Sequence, residues 1–297
     1  MPVSLPPALD LILGLLHCPT CRTGRLYPHR GALRCRAGHA FDIASHGYVA
    51  LLAGTRATSG DDAAMVRARS RFLSTGTYVP IREVGARLAA VVEPERATVV
   101  EVGCGTGYYL SGVLDRLPGA RGLGLDTSVH ALRSAARAHD RAAAVAWDVF
   151  RPFPLADGVA DVVLDVFAPR NPAEFHRLLR PTGRLIVVRP TGRHLVELGG
   201  RLPVTVRVDP AKEQRLRRAL DPFFEAVVTE RVEYSVPLTR MNALDILAMS
   251  PSARHVNCAD LDDDVFLPDR VTVSVLATAY RPRCSDREVR HHGSRRC

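Results

Sequence analysis

Cys18 and Cys21 form one close pair near the start of the chain, and Cys35 and His39 form a second after thirteen intervening residues. Three thiols and an imidazole at this spacing suit zinc, which takes soft or borderline ligands in a tetrahedron. Each short pair makes one knuckle, and the segment between them folds back to bring the knuckles together. The set is complete without His17, His29 or His46 nearby. With no open position and no glutamate placed to activate water, the chemistry expected here is structural. Such zinc supplies roughly 10–16 kcal/mol of apparent binding energy, so losing one ligand should unfold the segment.

A second constellation follows at Glu101-Val102-Gly103-Cys104-Gly105-Thr106-Gly107-Tyr108. It closes an apolar run and opens a helical pattern, and its glycines permit a tight turn and a close ligand approach. Glycines at this spacing also serve dinucleotide enzymes, so the acidic residues decide. Asp126 ends the next apolar run, where it can hold a ribose diol, and Asp148 follows the third, where it can receive an adenine amino group. Glu101 beside the loop suits the cationic methionine end of S-adenosylmethionine (SAM) and would repel a pyrophosphate. The reading is therefore SAM rather than NAD, with Cys104 as a small loop filler.

Asp165 and Phe167-Ala168-Pro169 end the fourth apolar run, at the sheet edge where a target would sit. Asp165 reads as a general base, as a cap of the sheet edge or as a contact to SAM, and Phe167 as a stacking platform or as packing beneath the loop. Tyr78 either covers the cofactor or anchors the helix that follows it.

Around these residues the chain has 297 positions, 46% hydrophobic and 24% charged, enough for one α/β domain and a small module. No apolar run is long enough for a bilayer. The apolar start lacks a basic stretch, carries Asp10 and runs straight into Cys18, so it does not read as a leader. The seven cysteines do not look like a disulfide framework, and a cytoplasmic setting is expected. The formal charge is +9, and the first 75 residues carry nine arginines against four acids. That bias suits a polyanion such as nucleic acid, with Arg34, Arg36 and Arg56 as the best phosphate contacts. Lys212 is the only lysine, which is also the signature of a GC-rich genome.

Residues 1–53 read as the zinc module, with short strands near Tyr27 and Phe41, and 54–75 as a linker and a helix from Asp61. From 76 to 283, apolar runs at 98–103, 121–126, 143–147, 160–167 and 184–188 alternate with helices at 81–92, 108–117, 128–138 and 174–179. Two late strands, 226–236 and 270–280, flank a helix at 242–249 and are expected as an antiparallel edge. Alternating units of this kind imply an α/β fold with a mostly parallel, doubly wound sheet. The tail 284–297 has no apolar pattern and reads as disordered.

With both motifs in place, the chain resembles the RlmA family of 23S rRNA (guanine-N1)-methyltransferases, and within it the TlrB-like, tylosin-resistance branch. The resemblance rests on Cys18-x2-Cys21…Cys35-x3-His39 and on Phe41-Asp42-x-Ala44-x2-Gly47-Tyr48-Val49-x-Leu51-Leu52. It continues through Arg69-x-Arg71-Phe72-Leu73, Gly76-x-Tyr78, the Glu101–Tyr109 loop, Phe167-Ala168-Pro169 and Arg193-His194-Leu195-x-Glu197-Leu198. It implies a class I SAM-dependent methyltransferase, zinc on Cys18, Cys21, Cys35 and His39, and SAM contacts from Tyr78, Gly107, Tyr108 and His194. Without the resemblance, His194 reads as a surface histidine. It further implies a homodimer acting on a guanine in a domain II hairpin of 23S rRNA, with resistance to tylosin- and mycinamicin-type macrolides. The competing readings are a housekeeping enzyme on a neighbouring guanine, a small-molecule methyltransferase, and a zinc-dependent nucleic-acid-binding regulator.

Overall fold

The structure is a computed structural model that describes residues 5–22, 24–52, 60–90, 96–199, 211–250 and 267–284, without the side chains of 211 and 212. The linker positions 53–59 and the tail positions 285–297 lie outside the described residues.

Two neighbouring valines explain the main layers. In β5 (Thr98–Val102) the side chain of Val100 enters one hydrophobic core and that of Val99 the other. Successive strand residues point to opposite faces, so a fully apolar run is what a strand needs when both faces are covered. The same holds for β6 (Arg121–Asp126), β7 (Ala142–Ala146) and β8 (Ala160–Val166), all nearly solvent-free. Helices α3 (Val79–Ala89) and α4 (Tyr108–Arg116) cover one face through Ile81, Val84, Leu110 and Leu114.

Among the described residues the large sheet has eight strands. The outer ones are β9 (Leu179–Pro190), β10 (Phe224–Pro237), β11 (Arg270–Pro282) and β4 (Val49–Ala50), in the order β10-β11-β9-β8-β5-β6-β7-β4. Pairing is parallel from β4 to β9, and β11 is antiparallel to both neighbours. The two late strands pair antiparallel and form one edge of the sheet as expected, with β10 at the rim and β11 seated between β9 and β10. Strand order reverses at β5, which lies between β6 and β8, so the carboxyl ends of these strands open a crevice there.

The amino-terminal segment contributes α1 (Pro7–Ile12) and a three-stranded antiparallel sheet of β1 (Tyr27–His29), β2 (Ala32–Arg34) and β3 (Ala40–Asp42). It is fused to the large sheet rather than tethered beside it. Strand β4 pairs with β7, and Leu9, Ile12, Leu16, Cys18 and Leu33 share one core with Leu123, Val145 and Trp147.

Helix α2 (Ala63–Ser74) begins where Asp62 accepts hydrogen bonds from the Ala64 and Met65 N–H groups, a standard N-cap. Arg71 pairs with the buried Asp245 of α8 (Arg240–Ala248), and Arg69 donates to the Met249 carbonyl. These contacts hold α2 and α8 together over the crevice. Helices α5 (Val129–Ala135) and α6 (Pro172–Leu178) match the sequence expectation. Two helices do not appear in it: α1 is short and apolar, and α7 (Ala211–Leu220) is so rich in charge that its periodicity is faint.

Candidate active site and metal centre

The two knuckles converge. Ligand atoms of Cys18, Cys21, Cys35 and His39 all lie within 4.8 Å of one another. His39 Nδ1 stands 3.5 Å from the Cys18 sulfur and 3.3 Å from that of Cys35, and the Cys21 and Cys35 sulfurs are 3.9 Å apart. A tetrahedron with Zn–S of about 2.3 Å and Zn–N of about 2.1 Å has edges of about 3.5–3.8 Å, so the donors fit zinc as they stand. Gly24 allows this closeness, since a Cβ there would meet the Cys21 sulfur and the Cys35 Cβ at 3.2 Å. Cys18 and Cys35 are buried, which marks a closed site.

At the strand ends a cavity of about 1840 Å³ opens, lined by the glycine loop, Asp126, Trp147, Asp148, Phe167, Arg170, Tyr78 and His194 among others. Small-molecule sites usually measure about 300–1,000 Å³, so this one has room for a cofactor and a second group. The Asp126 carboxylate accepts from the Gly105 N–H at 2.8 Å and the Ser128 N–H at 2.8 Å, fixing it at the mouth of the loop. Burial pushes its pKa up, against the pull of those two bonds. Asp148 accepts from the Phe150 N–H at 2.9 Å and shapes the turn after β7.

Gly103 has φ +65°, and a Cβ there would lie 2.7 Å from the Cβ of Ala168, so the loop crosses Phe167-Ala168-Pro169 at contact distance. Gly105 and Gly107 also have positive φ. Phe167 itself adopts φ +57°, a left-handed conformation that costs an aromatic residue about 1–3 kcal/mol. Its ring is partly exposed and stands 5.9 Å from His194, 6.1 Å from Tyr78 and 6.3 Å from Tyr109.

Tyr78 caps α3 and is buried, with its hydroxyl 3.1 Å from His194 Nε2. The Ser274 N–H donates to His194 Nδ1 at 3.2 Å, so the ring proton sits on Nε2 and is given to the Tyr78 oxygen. Burial lowers the His194 pKa to about 4, which keeps the ring neutral. His194 is thus a half-buried wall residue, not a surface one.

Three candidates occupy places the sequence does not suggest. Glu101 lies outside the cavity wall: its carboxylate is buried beneath the loop and accepts from the Leu110 N–H at 3.0 Å, tying β5 to α4. Burial raises its pKa well above the usual range, so it is a poor fixed charge for a cationic ligand. Gly107 is also behind the wall, where a Cβ would strike Ala138 at 2.9 Å and Ala135 at 3.1 Å; it opens α4 and admits α5. Asp165 is fully buried and is not among the residues that line the cavity. Its neighbour Arg170 does line it, with Nε 3.2 Å from Asp165 Oδ1.

Trp147, Tyr109 and Arg170 are wall residues that sequence reasoning passes over. Only Tyr109 had a signal, as the residue after the glycine-loop tyrosine. The fit to SAM rests on unfilled valences: Trp147 Nε1, Tyr108 Oη and Ser250 Oγ are buried side-chain atoms of wall residues with no hydrogen-bond partner among the described residues. Buried polar atoms of this kind are normally satisfied, so the wall offers them to a polar ligand.

Residues 16–57 match the profile of a zinc ribbon described as RlmA, N-terminal, and residues 99–183 that of a methyltransferase domain. Fold, site and profiles make this a class I SAM-dependent methyltransferase that carries its own zinc ribbon; SAM is its cofactor and zinc its structural ion. A Micromonospora griseorubida protein provisionally named 23S rRNA (guanine-N(1)-)-methyltransferase is 44% identical over 91% of this chain and 98% of its own length. The Streptomyces fradiae 23S rRNA (guanine(748)-N(1))-methyltransferase is 41% identical, again over 91% of this chain and 98% of its own. A Bacillus subtilis relative with the same provisional name as the first is 35% identical over 62% of this chain and 67% of its own length. The chain belongs to the RlmA family of 23S rRNA (guanine-N1)-methyltransferases.

Proposed function

We propose that this protein methylates N1 of a guanine in a domain II hairpin loop of 23S rRNA, in the wall of the peptide exit tunnel, and so confers resistance to tylosin- and mycinamicin-type macrolides. One observation carries the reading: the chain is 41% identical to the Streptomyces fradiae 23S rRNA (guanine(748)-N(1))-methyltransferase, and 44% identical to a Micromonospora griseorubida protein provisionally named for the same class, along 98% of the length of each. A small-molecule methyltransferase has no use for a basic, metal-bound head fused to its sheet, and guanine 748 in the Streptomyces fradiae name is the first position to examine.

In this reading residues 1–53 present RNA, 76–283 carry out the transfer, and two chains pair as a homodimer in the cytoplasm. Asp126 holds the cofactor ribose, Asp148 the adenine amino group, and Gly103 and Gly105 let the cofactor approach the backbone. Tyr78, Tyr108 and His194 complete its enclosure, with Glu101 and Gly107 supporting the loop from behind. Bound there, SAM supplies a methyl group already attached to its leaving group, a sulfonium. In-line positioning then becomes the main demand on the protein. Phe167 stacks on the target base, which accounts for its strained backbone and partly exposed ring.

The test is primer extension on 23S rRNA from cells with and without the gene. Methylation at N1 removes the Watson–Crick face, so reverse transcriptase halts one nucleotide before it. A new stop in domain II together with a raised tylosin tolerance supports the proposal. A stop without altered drug tolerance would make the enzyme a housekeeping one, and no new stop would refute the reaction itself.

A further inference from the structure

Guanine presents a difficulty that cofactor positioning does not solve. N1 carries a proton that ionises only above neutral pH, and its lone pair becomes a nucleophile only as that proton leaves. The negative charge that results is shared between N1 and O6. An enzyme working near neutral pH therefore gains by placing a cation against O6.

Such a cation stands in the turn after β8. Arg170 lines the cavity three residues beyond Phe167, and its side chain is about one-fifth exposed. Behind it lies Asp165, wholly buried and not among the residues that line the cavity. The contact is an ion pair at 3.2 Å, and among the described residues Arg170 Nε and both Asp165 oxygens have no fully formed hydrogen bond. Three of the other cavity arginines pair with more exposed acids: Arg69 with Asp61, Arg189 with Glu213, and Arg231 with Glu233 at 3.8 Å. Of these four, Arg170 alone is backed by a carboxylate with no access to water.

We propose that Arg170 is a catalytic residue whose guanidinium donates to O6 of the target guanine, and that Asp165 is the positioning residue that holds it there. The inference rests on the guanine-N1 reading above. In the step, N1 gives its proton to solvent and the electron pair left on N1 forms the new bond to the methyl carbon. The carbon–sulfur bond breaks with its pair going to sulfur, which becomes a neutral thioether. Arg170 takes no proton; it lowers the energy of the charge spread onto O6. Preorganised donors of this kind lower the barrier because they already stand where the charge develops. This also gives Asp165, which is not among the lining residues, a use other than proton abstraction. Its carboxyl is raised to about 7 by burial, against the pull of the Arg170 charge.

The experiment compares wild type, R170M, R170K and D165N, each as the full chain with zinc. Single-turnover methyl transfer from radiolabelled SAM to unmodified 23S rRNA transcript is followed from about pH 6.5 to about pH 9.5. Near neutral pH, R170M should lose on the order of 100-fold in rate, the usual effect of removing one such donor. The deficit should shrink about tenfold per pH unit in the alkaline range, because hydroxide then supplies the anion unaided. R170K should fall between, and D165N should show a smaller loss with the same pH trend. SAM affinity by calorimetry and the melting temperature should stay close to wild type in R170K, which separates chemistry from misfolding. Three results overturn the assignment while leaving the reaction intact: a full rate in R170M, a higher KM for RNA with unchanged transfer rate, or a loss in D165N larger than that in R170M. If wild type leaves N1 unmethylated, the functional reading falls first and this assignment with it.

Discussion

Replacing Gly103 by alanine tests whether the glycine loop and the Phe167-Ala168-Pro169 turn are one unit. The new Cβ would lie 2.7 Å from Ala168 Cβ, about 1 Å inside normal carbon–carbon contact of about 3.5–4.0 Å. The φ of +65° adds about 1–2 kcal/mol for any residue with a Cβ. Overpacking of this size costs about 1–3 kcal/mol, so the total is about 2–5 kcal/mol. For a domain of this size that is a fall in melting temperature of about 5–15 °C. If the turn yields instead, Phe167 moves and SAM affinity and methyl transfer drop more than stability does. The assay is thermal unfolding together with SAM calorimetry on G103A, A168G and the double variant. After A168G the nearest atom to the new Cβ is the Cα at position 168, at 3.7 Å, an ordinary contact. The double variant should therefore recover the clash part, about 1–3 kcal/mol of coupling, but not the φ part. Additive losses, or a G103A protein that melts and binds like wild type, would refute the reasoning.

Other outcomes follow from the same geometry. Cys35→Ser should abolish stoichiometric zinc by elemental analysis and lower the melting temperature of the whole chain in one transition, since Cys18 and Cys35 share a core with the large sheet; a separate early transition for the ribbon would contradict the fused core. Arg71→Ala leaves the buried Asp245 without its charge partner and should cost about 2–3 kcal/mol by urea unfolding, less than a fully buried pair because Arg71 is half exposed; an unchanged midpoint would show that α2 and α8 are held otherwise. His194, held near 4, binds its proton later than it would unfolded, so its contribution is full above about pH 6.5 and is lost as pH falls towards about 4. Asp165, raised to about 7, has the opposite sign: its contribution is present below about pH 4 and is lost as pH rises through about 7. H194N should accordingly flatten the acid-side loss of stability measured by denaturant midpoints from about pH 4 to about pH 7, and an identical pH slope in the variant would show that His194 is not buried neutral.

The parts whose chemistry is local are legible in the order of the residues alone. Two ligand pairs at knuckle spacing fix a zinc site, and a run such as Val99-Val100-Glu101-Val102 cannot be stable unless covered on both faces. Alternation of these runs with helical periods determines a doubly wound sheet, because a parallel strand needs a crossover to return. The glycines and acidic residues at successive strand ends identified the cofactor class for the same reason: they lie within one turn of each other in the chain or at equivalent strand termini. What the chain order does not encode is which long-range neighbours meet. The seating of β11 between β9 and β10, the docking of β4 on β7, and the convergence of Tyr78, Phe167 and His194 all join positions far apart in sequence. Burial is decided the same way. Glu101 and Asp165 read as site carboxylates in one dimension, yet the close packing of loop, helix and turn places both behind the wall and brings Arg170 forward. A strand end specifies where a residue sits along the sheet, and only the packing around it decides whether its side chain meets solvent, ligand or core.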